Sequence, residues 1–200
     1  MKKNYQKQLV LLGGGHANVQ VLQKLCMNEY VGLHTILISD NYEATYSGMT
    51  PGFVRNDFLE NEIQIDLQRL CFNAGANFIK DSIESLNFKL NEITLIKNPN
   101  IRFDILSINT GSVSKTNKIL ISNDAKYILV KPINNLVKDL PKIDEVINNS
   151  IITNITIVGG GISAYEISFS LKQRYKDKLK ILIVGKSNLA EQNINRFTRN

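Results

Sequence analysis

The hydrophobic pattern of the chain begins with a short apolar run, Gln8–Leu12, that stops at three glycines, Gly13, Gly14 and Gly15. A short continuous apolar run bounded by glycines predicts a parallel strand that is buried on both faces. Apolar residues then recur at helical spacing over Ala17–Met27, and His34–Ser39 is a second apolar run. Strand, glycine turn, helix and strand within about thirty residues predict one βαβ unit.

The same pattern returns late in the sequence. Ile155–Val158 is apolar, the glycines 159–161 follow it, Ser163–Gln173 has helical spacing and Leu179–Val184 is the next apolar run. The chain is therefore predicted to repeat one supersecondary unit. We place a domain boundary at Lys131-Pro132, which gives a first domain at 1–131 and the start of a second at 132–200.

The patterns between the two copies are weaker. Asn41–Asn61 has no clear period and contains turn residues, which predicts a long loop of the kind that is often functional. Gln64–Ala74 has helical spacing. The remaining predicted elements are two or three short strands over Asn77–Lys97, strands at Asp104–Asn109 and Lys126–Val130, and a linker with a helix over Ile133–Asn149.

Composition is that of a globular protein, with 43% hydrophobic and 21% charged residues. The net charge of +6 fits a nucleic-acid binder, but the lysines are spread along the chain and form no basic block, so we expect no nucleic-acid partner. The two cysteines, Cys26 and Cys71, form no disulfide framework or CxxC pair, and both are expected in the core. The apolar runs are too short for a transmembrane helix or signal peptide. We expect a cytoplasmic protein, with peripheral membrane contact left open.

Each glycine loop has the chemistry of an anion site. A strand that ends in glycines and opens a helix presents backbone N–H groups at the positive end of the helix dipole, and glycine permits close approach of a pyrophosphate. In the G-x-G-x-x-G pattern the third position is Asn18 in the first loop and Ala164 in the second. Alanine is a common substitute, whereas a residue as large as asparagine is expected to loosen the packing of helix on strand.

The residues after the second strand of each unit differ. An acidic group is expected there for the ribose hydroxyls, and Ser39-Asp40 stands at that place in the first unit. In the second unit Gly185 and Lys186 stand there, without a carboxylate to repel a 2′-phosphate. This favours NADPH or tolerance of either nicotinamide nucleotide, although Lys186 is equally well explained as a solvated loop residue.

Three segments resemble the pyridine nucleotide-disulfide oxidoreductases, flavoproteins with two dinucleotide-binding domains: residues 11–17, 104–112 and 157–166. The resemblance implies a Rossmann-like α/β fold, a parallel sheet with helices on both faces plus a small antiparallel section, and an incomplete second unit. It implies FAD at the first glycine loop and NAD(P)H at the second, with Glu166 toward the nicotinamide pocket. The implied cofactor-binding residues are Gly13, Gly14, Gly15, His16, Ala17, Ser39, Asp40, Thr110, Gly111, Gly159, Gly160, Gly161, Ile162, Ser163 and Glu166.

A closer subgroup is suggested by segments 13–19, 45–52 and 65–76, which look like the FAD/NAD(P) module fused to selenide, water dikinase, a relative of type II NADH dehydrogenases. In that subgroup the 47–52 loop would lie near the flavin. Family members continue with a Gly-Asp segment that binds the flavin side, and this sequence lacks it. We therefore expect a fragment, a truncated reading frame, or a chain completed by a second chain, and we expect it to bind FAD weakly or not at all by itself.

The expected function is hydride transfer from NAD(P)H to FAD and onward to a small-molecule acceptor that the sequence does not identify. The cofactor carries this chemistry, so no catalytic acid or base is required, and no metal site is expected. His16 suits either a contact to the cofactor or a structural role at the start of its helix. Two alternatives stay open, a non-catalytic nucleotide-binding or regulatory module and one subunit of a split flavoenzyme.

Overall fold

The computed structural model describes residues 6–115 and 126–186, and these form two compact units. The first unit draws its residues from Met1–Tyr46 and Gln64–Lys115, and the second from Ser47–Ile63 and Thr116–Asn200. The predicted strand at Lys126–Val130 is wrong, because these residues form no regular element.

The first unit is built on a parallel sheet. Its strands are β1 (Lys7–Leu12), β2 (Leu33–Ser39), β5 (Asn77–Lys80) and β9 (Ile105–Ile108), and the crossover helix α1 (His16–Met27) joins β1 to β2. The strand order is β5-β2-β1-β9, and every pairing in it is parallel. The predicted first βαβ unit is therefore confirmed.

Both faces of the central strands are buried, as the continuous apolar runs predict. On one face Leu11 and Leu37 pack with α1 and with the helix α3 (Leu67–Asn73). On the other face Val10 and Ile38 pack against a three-stranded antiparallel sheet. That sheet contains β6 (Ile83–Asn87), β7 (Glu92–Leu95) and β8 (Ile101–Arg102), so the expected small antiparallel section is present.

The region 41–66 is more regular than predicted. Glu43–Thr45 forms β3, which pairs antiparallel with β4 (Gln64–Asp66), and Thr50–Arg55 forms the short helix α2. The prediction of one helix over Gln64–Ala74 is therefore half right, because α3 begins only at Leu67. Asp66 ends the strand and caps α3, since its carboxylate accepts a hydrogen bond from the N–H of Arg69 at 2.8 Å.

The second unit pairs two parallel strands with two helices. The strands β10 (Thr153–Val158) and β11 (Leu179–Val184) are joined by the helix α5 (Ile162–Tyr175), and the helix α4 (Ile133–Asn148) precedes them. The repeated βαβ unit is thus confirmed. Leu136, Leu140 and Ile147 of α4 form a core with residues of α2, α5 and both strands.

A polar cluster ties the helices of the second unit together. Arg174 on α5 makes a bidentate pair with Asp144 on α4, at 3.0 and 2.7 Å, and also donates to the carbonyl oxygen of Val54 in α2. The hydroxyl of Tyr175 donates to the same carboxylate at 2.7 Å. Fixed, bidentate hydrogen bonding of this kind specifies how helices pack.

Candidate functional site

The first glycine loop turns the chain from β1 into α1. The N–H of Gly13 donates to the carbonyl oxygen of Ile38, the neighbouring strand's penultimate residue, at 2.8 Å. Gly13 has φ +83°, which a residue with a side chain adopts only under strain. Gly15 is the N-cap of α1, and its N–H donates to the carbonyl oxygen of Asn109 at 3.1 Å.

Asn109, which follows β9, closes one side of this loop. Its side-chain oxygen accepts a hydrogen bond from the N–H of Ala17 at 3.1 Å. A Cβ at Gly15 would overlap that oxygen and would lie 2.6 Å from the Asn109 carbonyl oxygen. Glycine at 15 is therefore required by the close approach of Asn109. The sequence reasoning missed this residue, although its position between a strand and Thr110-Gly111 was a usable signal.

Two N–H groups of the loop remain as donors. Within residues 6–115 and 126–186, the N–H groups of Gly14 and His16 have no acceptor. They lie at the first turn of α1, where the helix dipole adds partial positive charge. This arrangement can hold an anion such as a phosphate group.

Asn18 corrects the expectation that it loosens the packing of α1 on β1. Its side chain is fully buried, and its amide nitrogen donates to the carbonyl oxygens of Leu12 at 3.0 Å and Gly13 at 2.8 Å. Its amide oxygen accepts a hydrogen bond from the Ser107 hydroxyl at 2.6 Å. The larger side chain therefore bonds helix, loop and β9 together, because every polar atom that it buries has a partner.

His16 is exposed at the start of α1, where it contacts the side chains of Gln20 and Tyr46. The amide nitrogen of Gln20 donates to its Nε2 at 2.8 Å, and its ring centre lies 5.0 Å from that of Tyr46. These contacts fit a structural role for His16, and the exposed ring leaves a ligand contact open as well.

The other predicted residues of the first site lie at the carboxyl edge of the sheet. Ser39 is buried at the end of β2, and Asp40 is exposed directly after it, with its carboxylate accepting from Asn41 at 2.9 Å. Thr110 and Gly111 are exposed after β9, and a Cβ at Gly13 would lie 2.5 Å from the Thr110 Cα. The structure thus brings the predicted loop residues and Thr110 together at one edge, where ligands of α/β sheets bind.

The second glycine loop repeats the first hydrogen bond in a more open setting. The N–H of Gly159 donates to the carbonyl oxygen of Val184 at 2.7 Å, as Gly13 does to Ile38. Gly161 is the N-cap of α5, and a Cβ at either Gly159 or Gly161 would meet no heavy atom within 4 Å. Gly185 packs closely against the loop, because a Cβ there would lie 2.7 Å from the Gly160 Cα. Ile162 and Ser163 form the exposed first turn of α5.

Glu166 lines a cleft of about 520 Å³ in the second unit. Its carboxylate is on an exposed part of α5, and the cleft is completed by residues of the 47–52 segment and α2. The residues that line the cleft are Gly48, Met49, Pro51, Gly52, Arg55, Phe58, Glu166, Phe169 and Ser170. The structure therefore brings together two features that the sequence singled out separately.

The cysteines differ from each other. Cys71 is buried in the core as predicted, and burial, followed by the nearby Cys26, raises the pKa of its thiol to about 12. A thiol held in this protonated form is a poor nucleophile. The prediction that Cys26 is in the core is wrong, because it is exposed near the end of α1. In the part of the chain that the structure describes, no helix combines the length and hydrophobicity needed to cross a membrane.

Comparison with known sequences gives a distant relative. No family model matches the chain. Ferroptosis suppressor protein 1 of Xenopus tropicalis is 24% identical over 194 residues, which cover 92% of this chain and 45% of that protein. The chain thus spans somewhat less than half the length of this relative.

Solved structures share the architecture. NADH:rubredoxin oxidoreductase from Clostridium acetobutylicum superposes with a TM-score of 0.66 at 20% identity, covering 96% of this chain and 48% of that chain. NDH2 from Plasmodium falciparum in complex with NADH gives 0.65 at 20% identity, with 89% and 41% covered. Sulfide:quinone oxidoreductase from Aquifex aeolicus gives 0.64 at 21% identity, with 90% and 43% covered. These likenesses confirm the predicted Rossmann-type fold.

Proposed function

Because the chain has the fold of the pyridine nucleotide-disulfide oxidoreductases, we propose that it is an FAD-dependent NAD(P)H oxidoreductase or a part of one. Its first unit would hold FAD, and its second unit would hold NAD(P)H. The observation that carries the proposal is the repeat of one strand, glycine loop and helix, with the same hydrogen bond from Gly13 to Ile38 and from Gly159 to Val184. When bound, FAD accepts a hydride from NAD(P)H and passes electrons to an acceptor.

The first loop suits the ADP half of FAD. The N–H groups of Gly14 and His16 would donate to the pyrophosphate, and the exposed carboxylate of Asp40 would accept hydrogen bonds from ribose hydroxyls. Thr110-Gly111 borders the same loop and would lie against the cofactor. The assignment of residues 1–131 to FAD stays part of this proposal, and the segment Ser47–Ile63 packs with the second unit.

The second loop suits the pyrophosphate of NAD(P)H. The open space beside Gly159 and Gly161 leaves the first turn of α5, Ile162 and Ser163, accessible to a ligand. Glu166 stands one helical turn further along, in the cleft that it shares with the 47–52 segment. A nicotinamide nucleotide is supported as donor by the names of structural neighbours, two of which were solved with NADH. The acceptor, and the link to the module fused to selenide, water dikinase, remain predictions.

Binding at the first site is tested with ADP and FAD by calorimetry on the full chain. We expect the two ligands to compete for one site, because they share the ADP group. Asp40→Ala should lower ADP affinity about tenfold, the effect of losing hydrogen bonds to a charged group. The control is Glu84→Ala, which removes an exposed carboxylate on β6 of the same unit. Equal ADP affinity of Asp40→Ala and Glu84→Ala would remove Asp40 from the site.

Turnover is tested by NADH and NADPH oxidation with an artificial dye acceptor and added FAD. An FAD-dependent rate supports the oxidoreductase. Binding of both nucleotides without any FAD-dependent oxidation would favour the non-catalytic module instead. A rate that appears only with a co-purified second chain would identify a split enzyme.

A further inference from the structure

We propose that Asn18 is a positioning residue for phosphate at the first glycine loop, acting through a hydrogen-bonded bridge from α1 to β9. The inference rests on the proposed nucleotide site and assigns a role to a residue that departs from the family motif. The bridge consists of the buried Asn18 amide, the carbonyl oxygens of Leu12 and Gly13, and the Ser107 hydroxyl. We call these four groups the asparagine bridge.

The asparagine bridge fixes the direction of the Gly14 N–H, the hydrogen-bond donor that would bind phosphate. The carbonyl oxygen of Gly13 is held at 2.8 Å by the Asn18 amide nitrogen, inside the unit. In a planar trans peptide the carbonyl and the following N–H point in opposite directions. The N–H of Gly14 therefore points away from Asn18, and among the described residues it meets no acceptor. Holding one end of this peptide presents the other end to a ligand.

The conformation of Gly13 explains why the Gly13–Gly14 peptide needs a restraint. A glycine at φ +83° has more freedom to rotate than any other residue, so the Gly13–Gly14 peptide would sample several orientations without a restraint. A glycine or alanine at position 18 has no side chain to provide the restraint. Asn18 provides it at no cost in unpaired polar groups, because both its donors and its acceptor are bonded.

Ser107 is the second half of the bridge. Its hydroxyl donates to the Asn18 oxygen at 2.6 Å, which orients the amide so that its nitrogen faces the two carbonyl oxygens. The two residues are 89 positions apart in sequence, and they come together only because β9 lies beside β1. Since Ser107 acts through Asn18, their effects on phosphate binding should not add.

The test compares ADP with adenosine on the full chain. ADP carries the phosphates that Gly14 would bind, whereas adenosine reaches only the ribose and base contacts. We expect Asn18→Ala to lower ADP affinity about tenfold and Ser107→Ala about threefold. The double variant should bind ADP as weakly as Asn18→Ala alone. Asn18→Gly, which restores the family motif, should be as weak as Asn18→Ala. Adenosine affinity should stay within twofold in all of them.

The control is Gln23→Ala, which removes an exposed amide from the same helix and should leave both affinities unchanged. Equal losses for ADP and adenosine would show a merely structural role and overturn the inference, and so would unchanged ADP affinity in Asn18→Ala. If Asn18→Ala fails to fold, the milder Ser107→Ala is the test. A loss of ADP affinity with adenosine affinity kept would support the inference, and any other result would overturn it. Wild-type protein that binds neither ligand would instead overturn the proposed nucleotide site itself, and this inference with it.

Discussion

The two glycine loops share a sequence pattern but differ in what surrounds them. Around Gly13–Gly15 the chain is enclosed, since a Cβ at Gly15 would overlap Asn109 and one at Gly14 would overlap Leu67. Around Gly159 and Gly161 a Cβ would meet nothing within 4 Å. The enclosure of the first loop comes from the sheet, because β1 pairs on both sides, with β2 and β9, and Asn109, which follows β9, lies against Gly15. Glycine is thus required for packing at position 15, whereas a Cβ at position 159 or 161 would find room.

The largest expected difference is between Gly15→Ala and Gly161→Ala. Both residues are helix N-caps with negative φ, −67° and −81°, so an added methyl group probes space and not backbone strain. Gly15→Ala should lower the free energy of unfolding by about 2–3 kcal/mol through overpacking against Asn109. Gly161→Ala should change it by less than about 0.5 kcal/mol. Chemical denaturation measures both, and equal effects would remove the distinction between the loops.

The second prediction concerns the Asn109 side chain, whose oxygen accepts a hydrogen bond from the Ala17 N–H beside the first loop. Asn109→Asp keeps the acceptor for the Ala17 N–H and places a negative charge at the start of α1. It should stabilise the fold by about 0.5–1 kcal/mol through the helix dipole. It should also lower ADP affinity about tenfold, because the carboxylate repels phosphate. Asn73→Asp, exposed on α3, is the control for charge alone, and unchanged ADP affinity in Asn109→Asp would place phosphate elsewhere.

The units should also differ in how stability depends on pH at the alkaline end. In the second unit, burial and then the hydrogen bond to Asp144 raise the pKa of Tyr175 above its ordinary value. A raised folded-state pKa stabilises below the unfolded pKa of about 10, and the contribution is lost as pH rises above it. Tyr175→Phe should lower the free energy of unfolding by about 1 kcal/mol at neutral pH and should reduce its decline at alkaline pH. A wild-type unfolding curve that is flat from neutral to alkaline pH would contradict this.

At the acid end the first unit should respond. Burial favours the protonated form of Asp81, but hydrogen bonds from the Asn98 side chain and from the N–H groups of Lys97, Ser82 and Asn98 outweigh it, so its pKa is lowered. A lowered folded-state pKa stabilises above the unfolded value, and the contribution is lost as pH falls through the folded value. Unfolding followed by hydrogen exchange at β7 should show an acid decline that Asp81→Asn reduces, and an identical decline in that variant would count against the assignment.

The smallest expected effect is on nucleotide affinity, at the residues proposed to lie near the ribose in each site. The first unit has Asp40 after its second strand, and the second unit has the exposed Lys186. Lys186→Ala should weaken NADPH binding about threefold and leave NADH binding unchanged, because a single exposed charge contributes little. The control is Lys180→Ala, which removes an exposed lysine from β11. Equal losses of NADPH and NADH affinity in Lys186→Ala would show that Lys186 does not contact the 2′-phosphate.

Local patterns predicted most of the architecture. The apolar runs that became β1, β2, β10 and β11 lie within one residue or two of their predicted bounds, because each is a continuous hydrophobic signal. Only β1 and β2 are buried on both faces, whereas alternate residues of β10 and β11 are exposed. The region 41–61 was harder to predict. Its strand β3 has only three residues and its helix α2 only six, which is too short to show a period.

The sequence by itself determined that each glycine loop stands between an apolar strand and a helix, since glycines, apolar runs and helical spacing are all recognised from neighbouring residues along the chain. Only the tertiary structure decided what each loop touches. Asn109 meets Ala17 across 92 positions, and Ser107 meets Asn18 across 89, so neither contact leaves a local pattern. From the sequence, the asparagine at position 18 predicted looser packing of the helix on the strand. In the fold its buried amide is fully hydrogen-bonded and joins the two, because the effect of a buried amide depends on its hydrogen-bond partners as well as on its size.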